Sequence, residues 1–194
     1  MTKIKLCGLR THDDIDIVNT YMPDYVGFVF VPNSKRYVSI SEAKAFKQRL
    51  NKGIKAVGVF QNSNKDEIVR AVDMGVVDIV QLHGEEDQNY IDSVKKLGCQ
   101  VIKAYMIKAH IPAFLKSDYI MLDNHKGGSG QSFDWDLIDF DLHNTFLAGG
   151  INIDNINKAL TKKPYCIDIS SGAERNGNKD EVLIKELIKA VRNG

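Results

Sequence analysis

Two residues with catalytic potential each follow a short apolar segment of the chain. Cys7 ends the segment IKLC, and Asp123 ends the segment YIMLD. A thiolate can act as a base, and a partly buried carboxylic acid can stay protonated and act as an acid. A plainer explanation of Cys7 stays open, because free cysteines are among the most buried residue types. Cys7 and Asp123 are therefore candidates for acid–base chemistry, provided that the fold brings them to one site.

Two glycine-containing segments have the composition of phosphate-binding loops. LAGGIN contains Gly149 and Gly150, and ISSG contains Ser171 and Gly172. Glycines let backbone N–H groups approach an anion closely, and a helix N-terminus adds positive potential. We expect Asn152 to be the N-cap of the helix that follows the first segment. Plain turn glycines are the alternative, but two such segments in succession favour a phosphate site.

Three further features are weaker signals. Arg36, in the segment PNSKRYVS, has the planar fork that binds a carboxylate or a phosphate, although a lone loop arginine usually has no specific ligand. His83 ends the segment IVQLH and is either a site-lining residue or a neutral histidine with satisfied hydrogen bonds. The glycines of GGSGQSFDW, at 127–135, are typical of a loop that closes over a ligand. We expect Asp134 and Trp135 to cap and anchor the next helix.

Composition argues against several classes of function. Lys and Arg total 26 and Asp and Glu total 25, so a formal net charge of +1 favours neither nucleic acid nor an anionic membrane as partner. The three cysteines are widely spaced, and neither a CxxC pair nor an HExxH motif is present for a metal. No apolar run approaches the ~20 residues of a membrane span. We therefore expect a soluble, cytoplasmic protein without a metal site.

Eight segments rich in Val, Ile, Phe and Tyr have the length of β-strands. They are 4–8, 25–30, 54–60, 79–84, 100–106, 119–124, 145–150 and 165–171. Helical spacing of apolar residues occupies most of the intervals between them. Alternating β and α segments indicate a parallel sheet, and eight units favour a closed barrel over an open sheet. We predict an α/β fold, a single-domain (β/α)₈ TIM barrel spanning residues 1–194.

The helix predictions differ in strength. Ser41 and Glu42 predict the start of the second helix, and the C-terminal helix has Leu183 and Leu187 on one stripe. The fifth helix, around IPAFLK, and the sixth, around WDLIDF, are the weakest.

Alternation along the strands separates a polar face from an apolar one. The polar face carries Lys5, Cys7, Gln81, His83, Lys103, Tyr105, Met121, Asp123, Cys166, Asp168 and Ser170. In a barrel, the C-terminal ends of the strands form the mouth, where active sites lie. Lys5 and Lys103 are either structural ion pairs inside the barrel or functional groups.

The motifs together resemble one enzyme family. They are KLCG, GFVFVPNSKRYVS, VGVF, VQLHGEE, LDN followed by GGSGQSFDW, LAGGIN, and DISSGAE with GNKD. These motifs are similar to those of phosphoribosylanthranilate isomerase of tryptophan biosynthesis, in the same order over residues 5–180. The resemblance implies a cofactor-free (β/α)₈ barrel that binds a phosphosugar–anthranilate substrate. It implies an Amadori rearrangement of that substrate to an aminodeoxyribulose phosphate. The oligomeric state stays open between a monomer and a homodimer.

The resemblance also implies a role for each candidate residue. Asp123 is then the general acid that opens the furanose ring, and Cys7 is the general base that removes the C2′ proton. Arg36 is then expected to bind the anthranilate carboxylate. His83 and Asp168 are then expected to line the substrate. The phosphate is then expected to bind at Gly149, Gly150, Ser171 and Gly172.

Two alternatives stay open at this stage. Other phosphate-binding barrels, such as two-substrate sugar isomerases or indole-glycerol-phosphate synthase, would be expected to use paired carboxylates or a catalytic lysine. A non-catalytic phosphosugar-binding barrel would keep the glycines and would not need both Cys7 and Asp123.

Overall fold

The apolar segments form a closed barrel of eight parallel strands in chain order, in a computed structural model that describes residues 1–108, 110–124 and 132–194. The strands are β1 (Lys3–Cys7), β2 (Tyr25–Val29), β3 (Lys55–Phe60), β4 (Ile79–Leu82), β5 (Gln100–Ile107), β6 (Tyr119–Asn124), β7 (Thr145–Leu147) and β8 (Cys166–Ile169). Closure follows from the pairing of β1 with both β2 and β8. The predicted strands and the predicted single-domain (β/α)₈ fold are confirmed.

In the ranges that the structure describes, six α-helices connect or follow these strands. They are α1 (His12–Tyr21), α2 (Ile40–Arg49), α3 (Lys65–Asp73), α4 (Gln88–Lys95), α5 (Ile156–Thr161) and α6 (Glu181–Asn193). A short hairpin of β9 (Glu174–Arg175) and β10 (Asn178–Lys179) lies between β8 and α6. No helix in the described part of the chain is both long and apolar enough to cross a bilayer.

The predicted start of α2 was two residues too late. Ser39 is the N-cap, because its side chain accepts the N–H of Glu42 while the Glu42 carboxylate accepts the N–H of Ser39. This reciprocal pair is a capping box, which satisfies two backbone donors that the helix itself leaves unpaired. Ser41 therefore lies inside the first turn.

The predicted fifth helix was wrong, because the described residues between β5 and β6 contain no helix. Side chains take the backbone donors of this segment: Leu115 N–H donates to the Tyr105 hydroxyl, and Lys116 N–H donates to Gln88 Oε1. The predicted sixth helix is only a 3₁₀ turn, Trp135–Leu137. Asp134 caps that turn and Trp135 is buried, as predicted.

The predicted orientation of β5 was also wrong. Ile102 and Ala104 pack inside the barrel with residues such as Met121 and Phe146. Lys103 is therefore on the outer face, where its ammonium lies 2.9 Å from the Glu86 carboxylate. A buried lysine is stable there because it has a carboxylate partner. Lys103 is thus a structural ion-pair residue outside the barrel.

Candidate active site

The C-terminal ends of β1 and β6 bring the two predicted catalytic residues to the same end of the barrel. Cys7 is the last residue of β1, and Asp123 is the penultimate residue of β6. Two strands, β8 and β7, separate them around the barrel wall. The Asp123 side chain is 16% exposed to solvent, so it faces the mouth. Both residues therefore lie at the C-terminal end of the barrel, where Cys7 is buried and Asp123 is partly exposed.

Cys7 lies against a glycine and close to two lysines. A Cβ atom added to Gly27, its partner on β2, would lie 2.7 Å from the Cys7 sulfur. Burial raises the pKa of the Cys7 thiol, and the positive charges of Lys5 and Lys179 oppose that rise. The thiol therefore occupies a tight site in which burial favours the neutral thiol and the nearby cations offset part of that effect.

Lys5 is completely buried inside the barrel, between β4 and β8. Its ammonium donates to the Asp168 carboxylate at 2.9 Å and to Gln81 Oε1 at 3.0 Å. Burial alone would lower the pKa of Lys5, but the Asp168 carboxylate and the neighbouring Cys7 together outweigh burial and the pKa is raised. Lys5 therefore stays a cation. Asp168, predicted to line the substrate, here forms an internal ion pair.

His83 follows β4 and faces Asp123 across the mouth. Its Nε2 lies 3.4 Å from Asp123 Oδ2, and its Nδ1 lies 2.8 Å from the Gln81 side-chain nitrogen. The other carboxylate oxygen of Asp123 accepts the N–H of Asn124 at 2.7 Å. The His83 ring is therefore fixed between Gln81 and Asp123.

Arg36 crosses the mouth beside Cys7 and forms a bidentate ion pair. Its Nε and Nη2 each donate to Glu174 at 2.7 Å, and Lys179 donates to the same carboxylate at 2.9 Å. The Arg36 side chain passes over Gly8, where an added Cβ would overlap its Cδ atom. These two cations lower the pKa of Glu174 in spite of its burial. Glu174 therefore stays a carboxylate and orients the guanidinium.

Two adjoining cavities open beside these residues. The larger, of about 760 Å³, is lined by Arg10, Asn33, Ser34, Lys35, Arg36, Ser171, Glu174 and Gly177. The smaller, of about 340 Å³, is lined by Gly150, Asn152, Ile153, Asp154, Ser171, Gly172, Glu174 and Leu183. Ser171 and Glu174 line both, so the arginine side of the mouth is continuous with the glycine loops.

The glycine loops after β7 and β8 pack directly on each other. A Cβ on Gly172 would overlap the carbonyl oxygen of Ile151, so only glycine allows this approach. Gly150, Ser171 and Gly172 line the smaller cavity, whereas Gly149, at φ +92°, lies against β6 beside Asp123. Three of the four predicted phosphate residues thus line the smaller cavity, and Gly149 lies instead beside Asp123.

The predicted N-cap at Asn152 was wrong. Helix α5 begins at Ile156, and Asn155 is its N-cap. The Asn152 side chain instead accepts the N–H of Asp154, and the Asn155 side chain accepts the N–H of Asn152. The two asparagine side chains therefore stabilise a non-helical turn, and α5 begins about one helical turn later than predicted.

Comparison with known proteins gives the family. Residues 4–190 match the family model described as "N-(5'phosphoribosyl)anthranilate (PRA) isomerase". The chain belongs to this isomerase family. It is 44% identical to the N-(5'-phosphoribosyl)anthranilate isomerase of Endomicrobium trichonymphae, with all of both chains covered.

Solved structures of the same family superpose on the whole barrel. The phosphoribosyl anthranilate isomerase of Thermus thermophilus matches with a TM-score of 0.91 at 27% identity, over 99% of each chain. Another such isomerase, solved in complex with reduced 1-(o-carboxyphenylamino)-1-deoxyribulose 5-phosphate, matches with a TM-score of 0.81 at 29% identity over both full chains.

Three residues near the mouth of this family member were not singled out from the sequence as site residues. Gln81 was placed on the polar face without a role, and Glu174 and Lys179 lie within the motifs DISSGAE and GNKD. Only their partners, Lys5, His83 and Arg36, show what they do.

Two further observations concern a metal site and the predicted closing loop. Within the described ranges, no group of three or more His, Cys, Asp or Glu side chains is arranged to bind a metal. The predicted closing loop falls mostly on residues 127–131, which lie outside the described residues.

Proposed function

We propose that this protein isomerises N-(5-phosphoribosyl)anthranilate to 1-(2-carboxyphenylamino)-1-deoxyribulose 5-phosphate in tryptophan biosynthesis. The observation that carries the proposal is a thiol and a carboxyl group at one barrel mouth, beside an oriented arginine and two packed glycine loops. Family membership supports the same reaction, and so does the product analogue bound in a solved relative.

In the first step, Asp123 donates a proton to the furanose ring oxygen. The bond between C1′ and that oxygen breaks, and the nitrogen lone pair forms the C1′=N bond of a Schiff base. Asp123 is placed for this role because its side chain is partly exposed at the mouth. General acid catalysis of this kind contributes about 10²–10⁴-fold in rate.

In the second step, the Cys7 thiolate removes the C2′ proton. The electrons of the C2′–H bond form the C1′=C2′ bond of an enol while the C1′=N pair returns to nitrogen. Protonation of C1′ and loss of the O2′ proton then give the ketose. The charges of Lys5 and Lys179 offset part of the pKa rise that burial imposes on the Cys7 thiol, which helps to form the thiolate that this step requires. The two steps neither oxidise nor reduce the substrate overall, so they need no redox cofactor.

Substrate binding uses the two ends of the elongated site. Glu174 occupies the Nε and Nη2 side of Arg36, which leaves the Nη1 edge for the anthranilate carboxylate. Backbone N–H groups of the glycine loops, at Gly149, Gly150, Ser171 and Gly172, bind the phosphate. His83 and Asp168 line the site between the carboxylate-binding arginine and the phosphate-binding loops. The binding energy of the carboxylate and the phosphate, which lie away from the reacting atoms, orients the ring between acid and base.

The domain and assembly predictions accompany this proposal. Residues 1–194 form one catalytic domain, acting as a monomer or a homodimer in the cytoplasm on a small-molecule substrate.

The test is turnover of freshly prepared N-(5-phosphoribosyl)anthranilate, followed by loss of its anthranilate-type fluorescence. Wild-type turnover that falls about 10²–10⁴-fold in both Cys7→Ala and Asp123→Asn supports the assignment. Absence of wild-type turnover, with binding of the product retained, would instead identify a phosphosugar-binding barrel. Full activity of Cys7→Ala alone would show that Cys7 is not the general base and is only a small buried residue that packs in the barrel.

A further inference from the structure

A continuous series of polar side chains crosses the barrel from β8 to β6. It runs from Asp168 through Lys5, Gln81 and His83 to Asp123. The inner members are buried: Lys5 is 0% and Gln81 1% exposed. The orientation of each buried group is therefore decided by its protein partners.

Lys5 determines which way the Gln81 amide points. An ammonium group has donors and no acceptor, so the Gln81 atom 3.0 Å from Lys5 must be the carbonyl oxygen. The amide nitrogen then points the other way, where it contacts His83 Nδ1 at 2.8 Å and the Met121 sulfur at 3.2 Å. The reverse orientation would place two sets of N–H donors against each other.

Gln81 in turn determines the tautomer of His83. Because an amide NH₂ only donates, Nδ1 must be the acceptor nitrogen, and the ring hydrogen of neutral His83 is on Nε2. That nitrogen is the one that lies 3.4 Å from Asp123 Oδ2. A lone pair on Asp123 Oδ2 can accept that hydrogen even when the carboxyl group carries its proton, and the Asp168 carboxylate is already paired with Lys5.

We propose that Gln81, oriented by Lys5, is a positioning residue that keeps His83 in the Nε2–H tautomer and so reserves the Asp123 proton for the substrate. When Nε2 carries a hydrogen it cannot accept a proton from Asp123. In the Nδ1–H tautomer, Nε2 has a lone pair and would accept the Asp123 proton. This role rests on the proposed function, in which Asp123 is the general acid.

The deciding variant is Gln81→Glu in the full-length protein. The introduced carboxylate accepts from both Lys5 and Nδ1–H, so it reverses the tautomer while preserving size and the contact with Lys5. Gln48→Glu is the matched control, because it makes the same change on an exposed position of α2. Gln81→Met keeps the bulk and removes both hydrogen bonds.

The first measurement is ¹⁵N NMR of histidine-labelled protein at a pH where the ring is neutral, with the His83 signals assigned by their loss in His83→Asn. We expect a protonated Nε2 in the wild type and in Gln48→Glu, and a protonated Nδ1 in Gln81→Glu. Gln81→Met should give a mixture of both tautomers. A protonated Nδ1 in the wild type, or an unchanged tautomer in both Gln81 variants, would overturn the positioning role.

The second measurement is isomerase turnover by the same proteins. A wrong histidine tautomer lowers kcat by roughly 10⁴-fold in a well-studied protease, so we expect Gln81→Glu to lose roughly 100-fold or more in kcat with little change in KM. Reversal of the tautomer with unchanged kcat would overturn the role. An inactive wild type whose Nε2 is protonated would overturn the proposed function and leave the tautomer assignment standing.

Discussion

Substitution of Gly8 by alanine tests how Arg36 is placed over the mouth. Gly8 has φ +82°, and a Cβ there would overlap Arg36 Cδ and lie 3.2 Å from its Cγ. Gly98 has nearly the same backbone, at φ +81°, but a Cβ there meets no described atom within 4 Å. The pair Gly8→Ala and Gly98→Ala therefore separates backbone strain from the collision with Arg36.

The expected magnitudes follow from two separate costs. A left-handed backbone costs a non-glycine residue about 1–2 kcal/mol, which applies to both variants. Overpacking adds about 1–3 kcal/mol, which applies to Gly8→Ala alone. In a chain of this size about 1 kcal/mol shifts Tm by roughly 2–4 °C. We therefore expect Gly98→Ala to lower Tm by about 2–8 °C and Gly8→Ala by about 4–20 °C.

The assays are thermal unfolding by circular dichroism and steady-state isomerase kinetics. Gly8→Ala should raise KM, because the displaced arginine no longer presents its free edge to the substrate carboxylate, and Gly98→Ala should leave KM unchanged. Adding Arg36→Ala to Gly8→Ala should recover part of the lost stability, since the colliding atoms are gone. Equal Tm shifts in the two single variants, together with equal KM values, would refute this reasoning.

Three further predictions concern the thiol and the outer ion pair. Gly27→Ala should lower kcat and leave the fold intact by circular dichroism, because the new methyl displaces the Cys7 sulfur; unchanged kcat would contradict that contact. Because burial raises the pKa of Cys7, the thiolate fraction and kcat/KM should increase with pH into the alkaline range. In Lys179→Met the pH–rate profile should move to higher pH, since a charge that lowers this pKa is lost; a profile that moves to lower pH would be inconsistent with it. Lys103→Met should cost about 3–5 kcal/mol of unfolding free energy in urea titration, because it leaves buried Glu86 without its cation, while kcat stays at the wild-type value.

The strands and the position of the site were predictable because both depend on local patterns. Short runs of β-branched and aromatic residues separated by turns predict strands wherever they occur. Parallel strands place all their C-terminal ends together, so Cys7 and Asp123 had to share one end of any such barrel. The family resemblance added roles for residues whose patterns alone left alternatives open.

Other features were not predictable because the deciding partner is distant in sequence. The segment QVIKAYM alternates in the same way whichever face points inward, and the neighbouring strands and Glu86 decide that Lys103 points outward. IPAFLK has apolar residues at helical spacing, but the Tyr105 hydroxyl and Gln88 take its backbone donors. In both cases a tertiary contact overrides a local preference.

By itself, then, the sequence determined the order of strands, the closed parallel barrel and the identity of the reactive groups at its mouth. The tertiary structure alone decided how those groups are oriented. Arg36 meets Glu174 across 138 residues, and Lys5 meets Gln81 across 76. No local pattern encodes such pairs, because they form only when closure of the barrel buries their charges and amides together.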